Sequence, residues 1–161
     1  MDDVDAFLST VIPRLRNEVL ALHSGDAAPR KVLWSHHDPV TLFGAEMSRR
    51  GWVELEPAFD QLAASFSGGE SCEYEVLGAG VSGDLGYVVA IERSVAASGG
   101  RPPIRYALRV TTVFRLEGGD WKVVHRHGDP YDQSARDALA SRAEEGVLPD
   151  GHKGADEQRR S

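Results

Sequence analysis

The spacing of apolar residues changes near residue 70, and this change is the strongest constraint on the fold. Before that point apolar residues recur at three- and four-residue steps, which predicts two amphipathic helices with these stripes: Phe7, Leu8, Val11, Ile12, Leu15, Val19 and Leu22, then Trp52, Leu55, Phe59, Leu62 and Phe66. From Ser71 onward apolar and β-branched residues alternate with polar ones, which predicts strands. Helices followed by a run of strands indicate an α+β fold with the helices on one sheet face.

Turn residues divide the second half of the chain into four predicted strands. The first begins at Ser71, and the others cover residues 85–95, 104–116 and 121–127. Glycine-rich turns at 82–84, 98–103 and 118–120 connect them. Because the connections are short, we expect an antiparallel meander.

Three local signals refine the helical half. Pro13 lies inside the first apolar stripe, so we expect the helix to break or kink near Ile12. Asp26 follows a glycine and predicts the cap of a short second helix. Residues 39–44 predict a short strand that ends at a turn.

The length of the chain predicts one compact domain. A chain of 161 residues, 41% of them hydrophobic, can bury a sizeable core without disulfides or a structural metal. We expect that domain to span residues 1–131. Composition then shifts: residues 133–145 predict a helix with a thin apolar strip, and residues 146–161 predict a flexible tail.

Charge and cysteine content exclude several classes of partner. With 18 Lys and Arg against 25 Asp and Glu, the net charge is −7, which argues against nucleic acid and anionic membranes as partners. No apolar run reaches the length of about 18 residues that a membrane span needs. The first residues are acidic where a signal peptide is basic, and the single Cys72 fits a reducing compartment. We therefore expect a cytoplasmic location.

Two familiar chemical signals are weak in this chain. The G-x-G-x-x-G spacing that starts at Gly78 precedes a predicted strand, whereas a dinucleotide site needs a following helix, so a hairpin turn is the better interpretation. Cys72 lies on a predicted strand, which favours a small buried residue over a nucleophile.

A histidine pair in the last strand is the first candidate for chemistry. His125, His127 and Asp129 alternate, so in a regular strand they share one face. By the same parity Trp121 and Val123 lie on that face, which makes it an interior or interface face. Two imidazoles and a carboxylate there could act as an acid–base group with its orienting acid, bind a metal, or bond to neighbours at the sheet end.

A second histidine group precedes the short strand. His36, His37 and Asp38 stand just before Pro39, which places them at the mouth of the space between helices and sheet. They could line a pocket there. Alternatively, His and Asp cap the turn before the proline.

The chain resembles a known family in an ordered set of segments. Residues 34–44 read WSHHDPVTLFG, a helix follows over 51–66, the meander comes next, and residues 121–129 read WKVVHRHGD. Together they resemble the SnoaL-like proteins of the nuclear transport factor 2-like superfamily, which includes ketosteroid isomerase, over about residues 5–131. The closing segment is also similar to the association domain of calcium/calmodulin-dependent kinase II.

The resemblance implies a cone-shaped fold, in which a curved antiparallel sheet wraps around N-terminal helices. It further implies a pocket for a small apolar molecule and a homodimer through the outer sheet face. No metal and no cofactor are expected, because enzymatic members usually use none.

Ketosteroid isomerase residues do not carry over. By ungapped matching, the position of its catalytic base falls at Phe43 or Gly44, that of its oxyanion Asp at Thr112, and that of its Tyr near Glu18. Carbon-to-carbon proton transfer needs both a base and an oxyanion donor. We therefore expect no ketosteroid isomerase activity, although Thr112 could donate one hydrogen bond.

Function stays open between classes. In an isomerase, cyclase or hydratase, His125 or His127 would be the acid–base group, oriented by Asp129 or Asp38. The expected pocket residues are Trp34, His36, His37, Phe43, Trp52, Phe59, Tyr106 and Thr112. The alternatives are a non-catalytic dimeric domain that binds a ligand or a partner protein, and a metal-dependent enzyme that uses the two histidine groups.

Overall fold

The computed structural model describes residues 2–44 and 47–144. Its helices are α1 (Asp3–His23), α2 (Ala28–Leu33), α3 (Trp52–Ser65) and α4 (Gln133–Glu144). Its strands are β1 (Thr41–Gly44), β2 (Met47–Arg50), β3 (Phe66–Ser82), β4 (Leu85–Ser98), β5 (Ile104–Glu117) and β6 (Asp120–Pro130). The α+β fold with N-terminal helices and a curved, open sheet is therefore confirmed.

The six strands form one sheet in the order β2-β1-β6-β5-β4-β3. Strands β3 to β6 form the predicted antiparallel meander. The short strand β1 adds a parallel pair to this antiparallel sheet, because it lies parallel to β6. β2, which has no counterpart among the predicted strands, pairs antiparallel with β1. Thus the segment before α3 contributes two strands to the sheet.

The first helix continues through its proline. α1 runs without a break past Pro13, so the expected break near Ile12 is wrong. Pro13 is exposed, where water can solvate the carbonyl group that the missing N–H would have bonded. Val11 and Leu15 on either side are 0% and 2% exposed, so burial of the stripe holds the helix together. Asp26 accepts a hydrogen bond of 2.9 Å from the N–H of Ala28, in line with a cap for α2.

The helices cover the inner face of the sheet and form the core with it. Phe7 on α1 packs edge-on against Phe114 and Trp121, with ring centroids 5.3 and 4.9 Å apart. Trp34 and Phe59 pack together at 5.2 Å, and both are almost completely buried. The core thus lies between α1 to α3 and the concave side of β4 to β6.

A bulge in β6 reverses the direction of its side chains. Phe114 pairs with Val123, but the preceding residue Val113 pairs with His125, so Val124 is an extra residue. Phe114 and Val123 are buried on the inner face. After the bulge His125 lies on the outer face, and Arg126 returns to the inner face.

The segment after the sheet begins with a helix. α4 matches the predicted helix closely, and Ala135 at its start is buried. The predicted flexible tail over residues 146–161 lies outside the described residues, so the domain boundary stays a prediction. Within residues 2–44 and 47–144, no helix combines the length and apolar character needed to cross a membrane.

Candidate functional site

A pocket lies between the helices and the inner face of the sheet. Its volume is about 100 Å³, enough for a compact organic molecule, since one water needs only about 10–15 Å³. The wall is apolar over much of its area, and these side chains line it: Leu22, Leu42, Met47, Leu62, Phe66 and Leu108. The lining also includes the charged residues Arg30, Glu92 and Arg126, and the imidazole-bearing residue His23. The pocket therefore combines apolar walls with a polar region.

A buried ion pair spans the sheet at this polar region. Arg126 on β6 donates from Nη1 to Glu92 Oε2 at 2.8 Å and from Nη2 to Oε1 at 3.3 Å. The hydroxyl of Tyr74 on β3 also donates to Glu92 Oε2, at 2.6 Å. Glu92 is 2% exposed and Arg126 is 8% exposed, so the pair is shielded from water. A buried carboxylate needs such donors, because losing its hydration is costly.

A second buried ion pair connects the first two helices. Arg30 on α2 donates from Nε to Glu18 Oε2 at 2.6 Å and from Nη2 to Oε1 at 3.3 Å. The two pairs also interact electrostatically, since Arg126 favours the charged form of Glu18 and Arg30 favours that of Glu92. Both pairs thus form one buried charge cluster, and Glu18 is the member that does not line the pocket.

The two carboxylates respond differently to this cluster. Burial raises the pKa of Glu18 although Arg30 opposes it. Burial also acts to raise the pKa of Glu92, but Arg126, Tyr74 and Arg30 together outweigh it and lower that pKa to about 2. Glu92 is therefore the firmly ionised carboxylate at the pocket.

A histidine and a tyrosine form another polar pair on the wall. Nε2 of His23 and the hydroxyl of Tyr106 share a hydrogen bond of 2.6 Å. His23 ends α1 and is 3% exposed, and its ring packs against Phe66 at 4.4 Å. The pair can hold a proton and present a hydroxyl group to a bound molecule.

Only some of the predicted pocket residues line this pocket. Tyr106 and Phe43 do, and so does Gly44, the other position matched to the ketosteroid isomerase base. Trp34, Phe59 and Thr112 are buried, at 2%, 0% and 2% exposure, without lining the pocket. Periodicity placed Phe59 in a buried stripe of α3, but none of these three residues lines this pocket.

The histidine group before β1 lies at the surface. The ring of His36 stacks on Trp52 at 3.7 Å, and its Nε2 lies 2.7 Å from the Lys31 carbonyl oxygen. The N–H of His37 donates to Ser35 Oγ at 3.0 Å. None of these groups lines the pocket, so their chemical role stays a prediction.

Asp38 has a structural contact instead. Its Oδ1 accepts a hydrogen bond of 3.0 Å from the N–H of Trp52, at the start of α3. The residue before Trp52 is Gly51, which offers no side-chain cap. Asp38 thus caps α3 from a distant point in the chain.

The bulge places His125 and His127 on the outer face of the sheet. The prediction that they share a face with Trp121 and Val123 is therefore wrong. Nδ1 of His125 lies 2.7 Å from Thr41 Oγ1, and His127 is exposed. Burial and the neighbouring His127 lower the pKa of His125. Asp129 forms an ion pair with Arg109 at 2.7 and 2.9 Å rather than orienting an imidazole.

Cys72 and the candidate metal ligands are the remaining residues that the sequence singled out. Cys72 is 3% exposed, and burial together with Glu92 raises the pKa of its thiol to about 12, as expected for a packing residue. Within the described part of the chain, no three His, Cys, Asp or Glu side chains converge as a metal site would require.

Sequence reasoning missed the charge cluster. A signal for Glu18 exists, because it stands three residues after Leu15 and four before Leu22, in the apolar stripe of α1. Glu92 likewise shares the parity of Val88 and Ala90 on β4. Arg126 faces inward only because of the bulge at Val124, and the residue pattern of β6 gives no sign of that bulge.

Comparisons with known proteins agree with this architecture. The SnoaL-like domain family matches residues 15–131. A comparison with curated protein sequences finds no match. A candidate dehydratase of the nuclear transport factor 2-like family from Streptomyces avermitilis has a similar structure, with a TM-score of 0.63 and 20% identity, covering 80% of this chain and 98% of that chain.

Two further solved structures share the fold. A nuclear transport factor 2-like superfamily protein from Salmonella enterica has a TM-score of 0.63 and 13% identity, covering 81% of this chain and 94% of that one. The association domain of calcium/calmodulin-dependent kinase II from C. elegans has a TM-score of 0.59 and 14% identity, and the match covers 80% of this chain and 98% of that one. The match over residues 15–131 shows that the chain belongs to the SnoaL-like domain family, and the solved structures show that it shares the nuclear transport factor 2-like fold.

Proposed function

We propose that the chain binds a small, largely apolar molecule in the pocket between α1 to α3 and the sheet. The observation that carries this proposal is the pocket itself, in which apolar walls meet a few buried polar groups. Ligand sites commonly have this composition, because apolar contact supplies affinity and a few polar groups fix orientation. Leu42 and Leu108 represent the walls, and Arg126 and Tyr106 represent the polar groups.

A thermal-shift screen with small organic molecules tests this proposal. Binding to the folded state raises the melting temperature by mass action. Leu108→Phe should fill part of the pocket and reduce the shift, whereas His127→Ala on the outer face should leave it unchanged. If no molecule stabilises the chain, or if Leu108→Phe responds as the wild type does, the pocket is not the binding site.

A reaction of the isomerase, cyclase or hydratase type is the second candidate function. The observation that favours it is the 2.6 Å hydrogen bond between His23 and Tyr106 on the pocket wall. Such a pair can deliver or accept a proton at a bound molecule. Tyr106→Phe should abolish turnover of a substrate while preserving its binding. The acid–base role predicted for His125 and His127 stays untested.

We further propose that the chain forms a homodimer through its outer sheet face. Exposed apolar side chains support this, since Phe43, Leu77 and Tyr87 are 43%, 61% and 46% exposed. The rings of His125 and His127 lie edge-on to Phe43 at 5.5 and 6.0 Å and extend the same surface. Exposed apolar patches of this kind commonly mark protein–protein contacts.

Sedimentation velocity tests the homodimer. Tyr87→Asp places a charge among the exposed apolar side chains of the outer face and should shift a dimer to monomer. Val53→Asp is the matched control, because Val53 is 88% exposed but lies on α3. A wild-type monomer, or equal behaviour of both variants, would contradict this interface. We also propose a cytoplasmic location, which the single buried thiol of Cys72 favours.

A further inference from the structure

We infer that the molecule bound in the pocket carries one carboxylate group, which the guanidinium groups of Arg126 and Arg30 receive. This inference rests on the proposed binding function and names the chemical class of its ligand. It begins with the charges at the pocket wall. Among the described lining residues, Arg30 and Arg126 are permanent cations, and Glu92 is the single carboxylate. Glu18 balances Arg30 from behind the wall, so the cluster is neutral overall, while the groups that line the pocket itself are two guanidiniums and one carboxylate.

The guanidinium groups also retain unused hydrogen-bond donors. A guanidinium has five N–H donors. Arg126 uses two for Glu92 and Arg30 uses two for Glu18, and their other N–H groups have no acceptor among the described residues. Both side chains are buried and both line the pocket, so a molecule in the pocket is placed to reach these donors. A bound acceptor oxygen would satisfy them.

The two carboxylates keep the cations in place for this task. Bidentate bonds to Glu92 and Glu18 fix the planes of Arg126 and Arg30 before any ligand arrives. A preorganised guanidinium matches the planar geometry of a carboxylate, and charge-assisted bonds are the stronger hydrogen bonds. Little side-chain freedom is then lost on binding.

The walls restrict the rest of the ligand. The volume is about 100 Å³ and the facing side chains include Leu42, Met47 and Leu62, so a compact apolar body fits. A doubly charged phosphate would lose more hydration on entry than a single carboxylate. A singly charged apolar acid satisfies both the donors and the walls.

Isothermal titration with four matched probes tests the inference: benzoate, benzamide, benzyl alcohol and benzylamine. The aromatic body is constant and only the polar group changes. Charged hydrogen bonds contribute enough that benzoate should bind at least about tenfold more tightly than benzamide or benzyl alcohol. Benzylamine should bind most weakly, because its ammonium meets the guanidinium groups.

Paired substitutions locate the preference. Glu92→Gln with Arg126→Met removes one compensated ion pair without leaving a buried unpaired charge, and should abolish the tenfold preference for benzoate. Arg109→Met with Asp129→Asn removes an Arg–carboxylate pair that is exposed on the outer face, and should preserve the preference for benzoate. Should the Glu92/Arg126 variant fail to fold, Arg126→Lys replaces the fork with a single point of contact and should still weaken the preference.

The outcomes separate this inference from the proposed function. If benzyl alcohol and benzamide bind as well as benzoate, the carboxylate inference is overturned while pocket binding stands. A benzoate preference that survives the loss of the Arg126 guanidinium also overturns it. If no probe binds, both the inference and the proposed function are contradicted.

Discussion

Arg126 on β6 reaches across the intervening strand β5 to bind Glu92 on β4 through both carboxylate oxygens, at 2.8 and 3.3 Å. The bond therefore joins two strands that share no backbone hydrogen bonds. It also sets the polar end of the pocket, because both residues line it. One ion pair thus serves the sheet and the candidate site together.

Removing one partner of this pair should destabilise the fold more than removing both. Arg126→Met leaves the Glu92 carboxylate buried without its main partner, which costs about 3–5 kcal/mol. Adding Glu92→Gln removes the uncompensated charge, so the double variant should recover much of that loss. Urea unfolding of the wild type, both single variants and the double variant gives the coupling energy. Additive losses would show that the two side chains do not stabilise each other.

The pH dependence of stability should carry the signature of Glu92. Its pKa is about 2 in the folded chain against an ordinary value of 4.5, so the folded state favours the ionised form. This stabilisation is complete above about pH 4.5 and is lost as the pH falls from there towards about 2.

The measurement is the difference in unfolding free energy between the wild type and Glu92→Gln across that range. The difference should shrink by an amount on the order of 3 kcal/mol as the pH falls. Glu18 contributes in the opposite direction because its pKa is raised, but it is present in both proteins. A difference that stays constant from pH 5 to pH 2 would contradict the low pKa of Glu92.

Asp38 should prove to be a stabilising residue rather than a binding residue. Asp38→Ala removes the acceptor for the N–H of Trp52 and should cost about 1 kcal/mol, the usual value for a lost helix cap. Asp38→Asn keeps an acceptor oxygen and should lose less. Neither change should alter benzoate affinity, since Asp38 does not line the pocket. A large loss of affinity without loss of stability would restore it as a site residue.

Two glycines that face each other across β1 and β6 should respond in opposite ways. A Cβ at Gly128 would meet Val110 at 3.6 Å and Arg126 Nη2 at 3.7 Å, which are ordinary contacts beside the pocket. Gly128→Ala should therefore fold normally and weaken benzoate binding several-fold. A Cβ at Gly44 would overlap the backbone carbonyl oxygen of Gly128, so Gly44→Ala should disturb the pairing of β1 with β6.

Thermal melting and titration of both variants check this pair of predictions. Gly44→Ala should show a clear drop in melting temperature, and Gly128→Ala little or none. Unchanged affinity in a well-folded Gly128→Ala variant would show that ligands do not occupy this side of the pocket.

The fold was predictable because burial imposes a period on the sequence. The stripe that contains Val11 and Leu15 was strong enough to indicate α1 despite Pro13, since tertiary packing outweighs one missing hydrogen bond. The parallel placement of β1 beside β6 was not predictable in the same way. A short strand contains no information about its partner until the sheet has formed.

The candidate site was less predictable, for a physical reason. Buried charges such as Glu18 and Arg30 are stabilised by each other across different helices, so neither stands out alone. Histidines attract attention because they titrate near neutral pH, yet His125 and His127 lie outside the pocket. His23 both ends α1 and forms part of the pocket wall, and its position at a helix end gave no sign of the second role.

The single extra residue Val124 determines which chemistry faces inward in the last strand. If the same residues paired with β5 without a bulge, Val124 would lie opposite Val113, His125 and His127 would face inward, and Arg126 would turn outward. The inner face of β6 would then present the imidazoles of His125 and His127 in place of the Arg126 guanidinium, with no change in the sequence. The presence or absence of a bulge in this strand is therefore a route by which one scaffold can acquire a different interior, and strand register must be compared before residue identity when relatives are aligned.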